Sequence, residues 1–250
     1  SVDSPAMAST IEMIQKRITI CGSVQPCCSK WWWIGAILKT RLPVSLIVGF
    51  GGLVVALAAV GPLAVAAAKH PHGLAARLLD AATLGAQAIP AFWLGCLLIW
   101  LFAVEFRALD ILGEGPQRYV LPILIVAFTG LGPLAQVYRA GLAEVGRSDY
   151  HRTALAKGAD PDTVLAAQGG RYARLGLSAA LTAEAGWVVG GTAVVEIVFG
   201  LPGIGAFLVE SIAVRDYFVL QAYIVVAAAW MLTIALIAAA ARRVLDPRER

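Results

Sequence analysis

Residues 42–68 read LPVSLIVGFGGLVVALAAVGPLAVAAA, 27 positions without a charge. About 20 apolar residues cross the hydrocarbon core of a bilayer, so this stretch is long enough to span one. Four more follow. Ala81–Val104 has 24 uncharged residues, Tyr119–Tyr138 has 20 and Tyr217–Ala241 has 25, while the stretch from Leu175 is interrupted only by Glu184 before Glu196. Lipid offers the backbone no hydrogen-bond partners, so segments of this length are expected to be helices. The expectation is an all-α, polytopic membrane protein with five spans.

Composition agrees. Hydrophobic residues make up 59% of the chain and charged residues 14%. Soluble domains run at about 45–50% and about 25%. Alternating the five spans with the C-terminus in the cytoplasm places twelve Lys and Arg on the inner side: Lys69, Arg77, Arg139, Arg147, Arg152, Lys157, Arg171, Arg174, Arg242, Arg243, Arg248 and Arg250. The outer loops hold Arg107, Arg118 and Arg215. That asymmetry is the positive-inside pattern. The net charge of +4 reflects it. Basic residues spread over loops do not form a nucleic-acid face.

Residues 1–41 form a segment apart. It would lie outside, although it holds Lys16, Arg17, Lys30, Lys39 and Arg41, and Ser1–Ile20 lacks the apolar centre of a signal peptide. Two readings account for this: a preceding transmembrane helix missing from the chain, and an interfacial helix at Trp31–Leu38 anchored by its three Trp residues. Cys21, Cys27 and Cys28 cluster here. On the outer side Cys21 can pair with Cys27 or Cys28; the alternative is unpaired thiols. Three Cys with no nearby His make an incomplete metal set. Cys96, inside the second span, is expected to be core packing.

The longest charged loop is Arg139–Arg174, on the cytoplasmic side. Asp149–Lys157 reads as a short helix stopped by Gly158, because glycine accepts the left-handed conformation of a helix end. Asp160 then reads as an N-cap, with Pro161 at the first helical position and Asp162 in the first turn. Ala154 and Ala156 leave room for a partner to approach; the alternative is a plain surface connector.

The decapeptide Asp149-Tyr150-His151-Arg152-Thr153-Ala154-Leu155-Ala156-Lys157-Gly158 resembles the EAA loop of ABC importer permeases of the dipeptide/oligopeptide/nickel family. Ile89-Pro90-Ala91-Phe92-Trp93-Leu94-Gly95 is similar to that family's IPxFWLG. Val195–Gly205, reading VEIVFGLPGIG, resembles its VExVFxxPGxG and is followed by Arg215-Asp216-Tyr217. Leu245-Asp246-Pro247-Arg248 resembles its C-terminal LDPR. The likeness covers about residues 41–250, and the PGxG form resembles the first of the two paired permeases. The chain departs from the pattern in having Leu175-Gly176 where Leu-Pro is usual, Glu184 where Gln is usual, and no helix before the first span.

The resemblance implies a type I importer permease in the inner membrane, multi-pass within lipid. Its implied partners are a second homologous permease, two ATP-binding subunits that hold ATP and Mg, and an extracytoplasmic solute-binding protein. The implied coupling residues are Asp149, Tyr150, Arg152, Thr153, Ala154, Ala156, Lys157 and Gly158. The translocation path would include Gln87, Trp93 and Glu184. An outer gate would include Pro202, Gly203, Ile204 and Phe207, in a short helix dipping back from the outside; the alternative is an interfacial loop.

The chain itself has no GxxxxGK[ST] loop, so ATP chemistry is not expected of it, and no Ser/His/Asp or Cys/His arrangement marks an enzyme. His70 and His72 flank Pro71 and read as solvated. Gly186 and Gly190 suit close helix packing, and Pro62, Pro90 and Pro122 suit kinks. Two other classes stay open. One is a secondary transporter or channel not driven by ATP, which would more often show internal repeats. The other is a membrane scaffold.

Overall fold

The structure is a computed structural model, and it describes residues 28–70, 73–107, 113, 115–160 and 170–245. Among the described residues all regular structure is helical. The helices are α1 (Cys28–Lys69), α2 (Leu74–Ala88), α3 (Ala91–Ile99), α4 (Val120–Arg147), α5 (Asp149–Ala156), α6 (Gly170–Gly191), α7 (Ala193–Val198), α8 (Ile204–Ala213) and α9 (Tyr217–Leu245). A π-helical turn, Trp100–Glu105, prolongs α3, and a 3-10 turn, Pro116–Tyr119, leads into α4. The chain divides into two compact units, Ser1–Lys39 and Thr40–Arg250; of the first, the described part is the opening of α1.

Three of the five expected spans are single helices long and apolar enough to cross a membrane: Ile37–Ala67, Pro116–Val145 and Tyr217–Arg243. The second is not one helix. Its two halves, Leu74–Ala88 and Ala91–Glu105, meet at 104°. Pro90 lacks an N–H, and its ring disfavours the helical conformation of the residue before it. Ile89 accordingly turns extended, with φ −93° and ψ 119°. Its N–H closes α2 on the Gly85 carbonyl, and Leu94 N–H opens α3 on the Pro90 carbonyl. Pro90 thus breaks the span rather than kinking it. The fourth span also differs: α6 is 22 residues long, about 33 Å at 1.5 Å per residue, but Arg171, Arg174 and Glu184 make it less apolar than the other three.

α1 runs unbroken through Trp31–Leu38, so this stretch is not a helix of its own. Cys96 is exposed, not core: an apolar run marks a span without saying which of its faces this chain covers. Cys21, Cys27, the Cys28 side chain, Pro71, His72, Pro161, Asp162 and residues 246–250 lie outside the described residues.

Lipid tails are as apolar as leucine, so membrane helices associate through close packing and polar contacts rather than burial from water. The packing here follows that rule. Ser45, Val48, Gly52, Ala56, Val60, Ala64 and Ala67 form a small-residue stripe down α1, all buried. Added methyl groups at Gly49 and Gly52 would overlap Val188 of α6 and Val126 of α4. On the other side of α6, Tyr223 Oη donates to the Val189 carbonyl at 3.0 Å, and Trp230 Nε1 to that of Ala185 at 2.9 Å. Gly190 eases this approach to α9, since a Cβ there would lie 3.2 Å from Tyr223 Oη; at Gly186 a Cβ would make only ordinary contact, 3.8 Å from Met231 Cγ. An Asp80–Arg139 ion pair ties α2 to α4.

Candidate functional site

Two constructions stand out, and the first is α5. A single residue, Ser148, joins it to α4. Ser148 is extended, with φ −71° and ψ 148°, and its Oγ donates to the Val145 carbonyl at 2.6 Å. Asp149 in the first turn complements the positive end of the helix dipole. The far end closes in a Schellman motif: Gly158 N–H bonds to the Leu155 carbonyl at 2.9 Å and Ala159 N–H to that of Ala154 at 3.1 Å. Gly158 takes φ +84°, the left-handed region that favours glycine. Asp149, Arg152, Thr153, Ala156, Lys157 and Gly158 are exposed and Ala154 is half-buried; the Tyr150 side chain lies outside the described residues. The result is a short capped knob at the end of a 28-residue helix.

The second construction centres on Glu196 of α7, which is fully buried. Its Oε1 accepts from Ser45 Oγ at 2.7 Å and lies 2.6 Å from Thr192 Oγ1. Its Oε2 accepts the Ala206 N–H at 2.9 Å. Ser45 Oγ in turn accepts the Ile204 N–H at 2.9 Å. Ile204 and Ala206 are in the first turn of α8, where N–H groups have no partners within the helix. A carboxylate from α7 and a hydroxyl from α1 supply them, and the positive end of the α8 dipole faces the acid.

Two of the four expected gate residues, Gly203 and Ile204, meet this centre. Gly203 is buried against the Glu196 carboxylate, which any side chain there would overlap. Ile204 is buried and Pro202 exposed. Phe207 lies under the Arg41 guanidinium, 4.8 Å from the ring centroid, and Arg41 also reaches Glu210 at 3.6 Å.

The two ends of this region are closed by the same device. Gly200, at φ +60°, ends α7 with Leu201 N–H on the Glu196 carbonyl. Arg215, at φ +57°, ends α8 with Asp216 N–H on that of Ser211. Asp216 Oδ1 then caps α9 by accepting from Phe218 and Val219 N–H at 3.2 and 3.3 Å. The Arg-Asp-Tyr stretch is therefore a helix end followed by a helix start.

The expected path residues are not brought together. Gln87 lies near Gly132 of α4, where a Cβ would be 3.7 Å from its Nε2, and Glu184 lies near Gly130, where a Cβ would be 3.9 Å from its Oε2. Two residues correspond to about 200° around a helix, so Gln87 and Glu184 sit on opposite faces of α4. Trp93 is on α3, beyond the bend, and half of it is exposed.

Sequence reasoning read Glu196 only as part of a motif and missed Ser45, Thr192 and Ala206. An acid in an otherwise apolar run, eight residues before a helix start, was the available signal. Among the described residues no three His, Cys, Asp or Glu side chains gather to hold a metal ion.

Comparisons with known proteins bear on the fold and the family. The family described as "Binding-protein-dependent transport system inner membrane component" matches residues 60–250. The chain is similar to the glutathione transport system permease protein GsiC of Escherichia coli (strain K12), 40% identical over 136 residues, 54% of this chain and 44% of that protein. The GsiC of Shigella flexneri serotype 5b (strain 8401) matches to the same extent. The aligned part is thus less than half the length of these relatives. Among solved structures, a chain from the "Crystal structure of an amino acid ABC transporter with histidines" superposes with a TM-score of 0.65 over 88% of this chain and 99% of that one. At 12% identity this likeness shows the fold. With a helical membrane fold, an ABC permease likeness and a family match over most of its length, the chain belongs to the binding-protein-dependent transport system inner membrane components.

Proposed function

We propose that this chain is a permease subunit of an ATP-driven importer of short peptides, and that α5 is the element through which partner ATPases act on it. The observation that carries this reading is the joint at Ser148. An exposed, capped, eight-residue helix is attached by one residue to a long membrane helix, so force on the knob passes directly into α4. The partners are a second permease, two ATP-binding subunits holding ATP and Mg, and an extracytoplasmic binding protein. The glutathione transport of the GsiC relatives supports a peptide-like solute.

In this reading α5 and the C-terminus face the cytoplasm. The positive-inside asymmetry supports that orientation. The ion pairs fit the alternation of sides without choosing between them: Arg41–Glu210 joins α1 to α8, and Asp80–Arg139 joins α2 to the later part of α4. Single-cysteine labelling in intact cells should find residues 105–118 reactive, and 139–174 and the C-terminus protected. Reversed labelling would sink the orientation and the ATPase docking with it.

Gly158→Val and Ala154→Trp test the coupling. A non-glycine residue in the left-handed conformation costs roughly 1–2 kcal/mol, enough to open the end of a short helix. Both variants should still insert, because neither position lies within a span. ATP-dependent transport should fall about tenfold or more, with loss of ATPase retention or stimulation. Variants that assemble and transport like the parent would remove α5 from the mechanism.

A further inference from the structure

We infer that Glu184 and Trp187 of α6 form a recognition point for a protonated amine on the transported solute. This inference rests on the importer reading and names a chemical class within it.

Glu184, inside the expected fourth segment, and Glu196, at its end, are treated differently. Glu196 is fully buried and its carboxylate is bonded through both oxygens. Glu184 is half-buried and has no hydrogen-bond or ion-pair partner among the described residues. A bare acid within a membrane helix is costly and marks a place where protein, water or a ligand completes it. Glu184 Oε2 lies over Gly130, which has no side chain to meet it.

One turn further along, Trp187 is 63% exposed. Residues three apart on a helix share a face, with Cβ atoms about 5–6 Å apart. Ala179, Ala183 and Gly190 are also exposed on this helix and are too small to cover the pair. A carboxylate beside an open indole suits one kind of guest. An ammonium group gains an ion pair from Glu184 and a cation–π contact from Trp187. A carboxylate or phosphate would meet a like charge.

The test uses the assembled complex in membranes, in two arms. In the first, Ala183→Cys is placed in a chain whose four cysteines are replaced by serine. The thiol is then treated with trimethylammonium-ethyl or sulfonato-ethyl methanethiosulfonate. The thiol should react, and adding Glu184→Gln should lower the ratio of cationic to anionic rates about fivefold. An unreactive thiol, or a ratio that Glu184→Gln leaves unchanged, overturns the inference.

The second arm measures ATP-dependent uptake of alanyl-lysine and alanyl-glutamate. Glu184→Gln should lower the lysine-to-glutamate ratio about tenfold, and Trp187→Leu about threefold. Equal falls for both probes would make Glu184 a contact to a neighbouring chain and would also overturn the inference. If the parent complex takes up neither probe with ATP, it is the importer reading that fails. The labelling arm needs no transport and still decides the local chemistry.

Discussion

Glu196→Ala should destabilise the chain by on the order of 3–5 kcal/mol, a large fraction of the stability of most proteins. The change removes the acceptor of the Ser45 Oγ and Ala206 N–H donors and leaves Thr192 Oγ1 only the Val188 carbonyl. A buried donor left without a partner costs about 1–3 kcal/mol, and the vacated volume adds to that. Ser45 would also lose the partner that orients it toward the Ile204 N–H. Glu196→Gln keeps the shape and one acceptor oxygen, but brings an NH2 group that faces donors; its cost should be smaller, about 1–3 kcal/mol. Thermal unfolding of the purified protein in detergent should rank parent above Gln above Ala. Hydrogen exchange should speed up at the Ile204 and Ala206 amides. Parent-like melting and protection in the alanine variant would show that the first turn of α8 is held by something else.

Gly205→Leu should be the most damaging single glycine substitution. An ideal Cβ at Gly205 would lie 2.6 Å from both Cα and Cβ of Ala193, and 3.0 Å from its backbone nitrogen. Backbone atoms cannot swing aside as a long side chain can, so α7 and α8 would have to separate. Overpacking typically costs about 1–3 kcal/mol, and occasionally more; this position belongs at the upper end. The matched control is Gly61→Ala in α1, where nothing lies within 4 Å of an added Cβ. There, replacing a helical glycine should leave stability unchanged or raise it by up to about 1 kcal/mol. Melting temperature and yield of folded protein should separate the two variants clearly. A Gly205→Leu chain as stable as the parent would mean that α7 and α8 are not in the contact described.

What could be read in advance divides by the range of the interactions involved. The end of α5 was legible because helix-stop chemistry is local: Gly158 needs only its own freedom and its neighbours' carbonyls. The helical membrane class was legible because a 27-residue uncharged run has few other solutions. The corner at Pro90 was harder. Hydropathy counts apolar side chains and does not register a missing N–H, so Ala81–Val104 read as one span. Cys96 was misplaced for a related reason, since an apolar stretch does not say which of its faces is covered. The Glu196 centre draws on residues 45, 192, 196, 204 and 206. Its α1 partner is 151 positions away, and no local pattern selects Ser45 from the other small residues of that helix. Gln87 and Glu184 were grouped as polar exceptions within spans, but α4 stands between them.

A straight helix behaves as a strut, carrying a push along its axis through an unbroken ladder of hydrogen bonds. At Ile89 that ladder stops, and α3 leaves α2 at 104°. Very little of a thrust along α2 projects onto the axis of α3; nearly all of it becomes sideways swing about the Ile89 torsions. The Asp80–Arg139 pair fastens α2 to α4, the helix that ends in the α5 knob. If a partner drives α5, as proposed, this corner would turn a lengthwise stroke into a sideways one at the end that carries Phe92, Trp93 and Trp100.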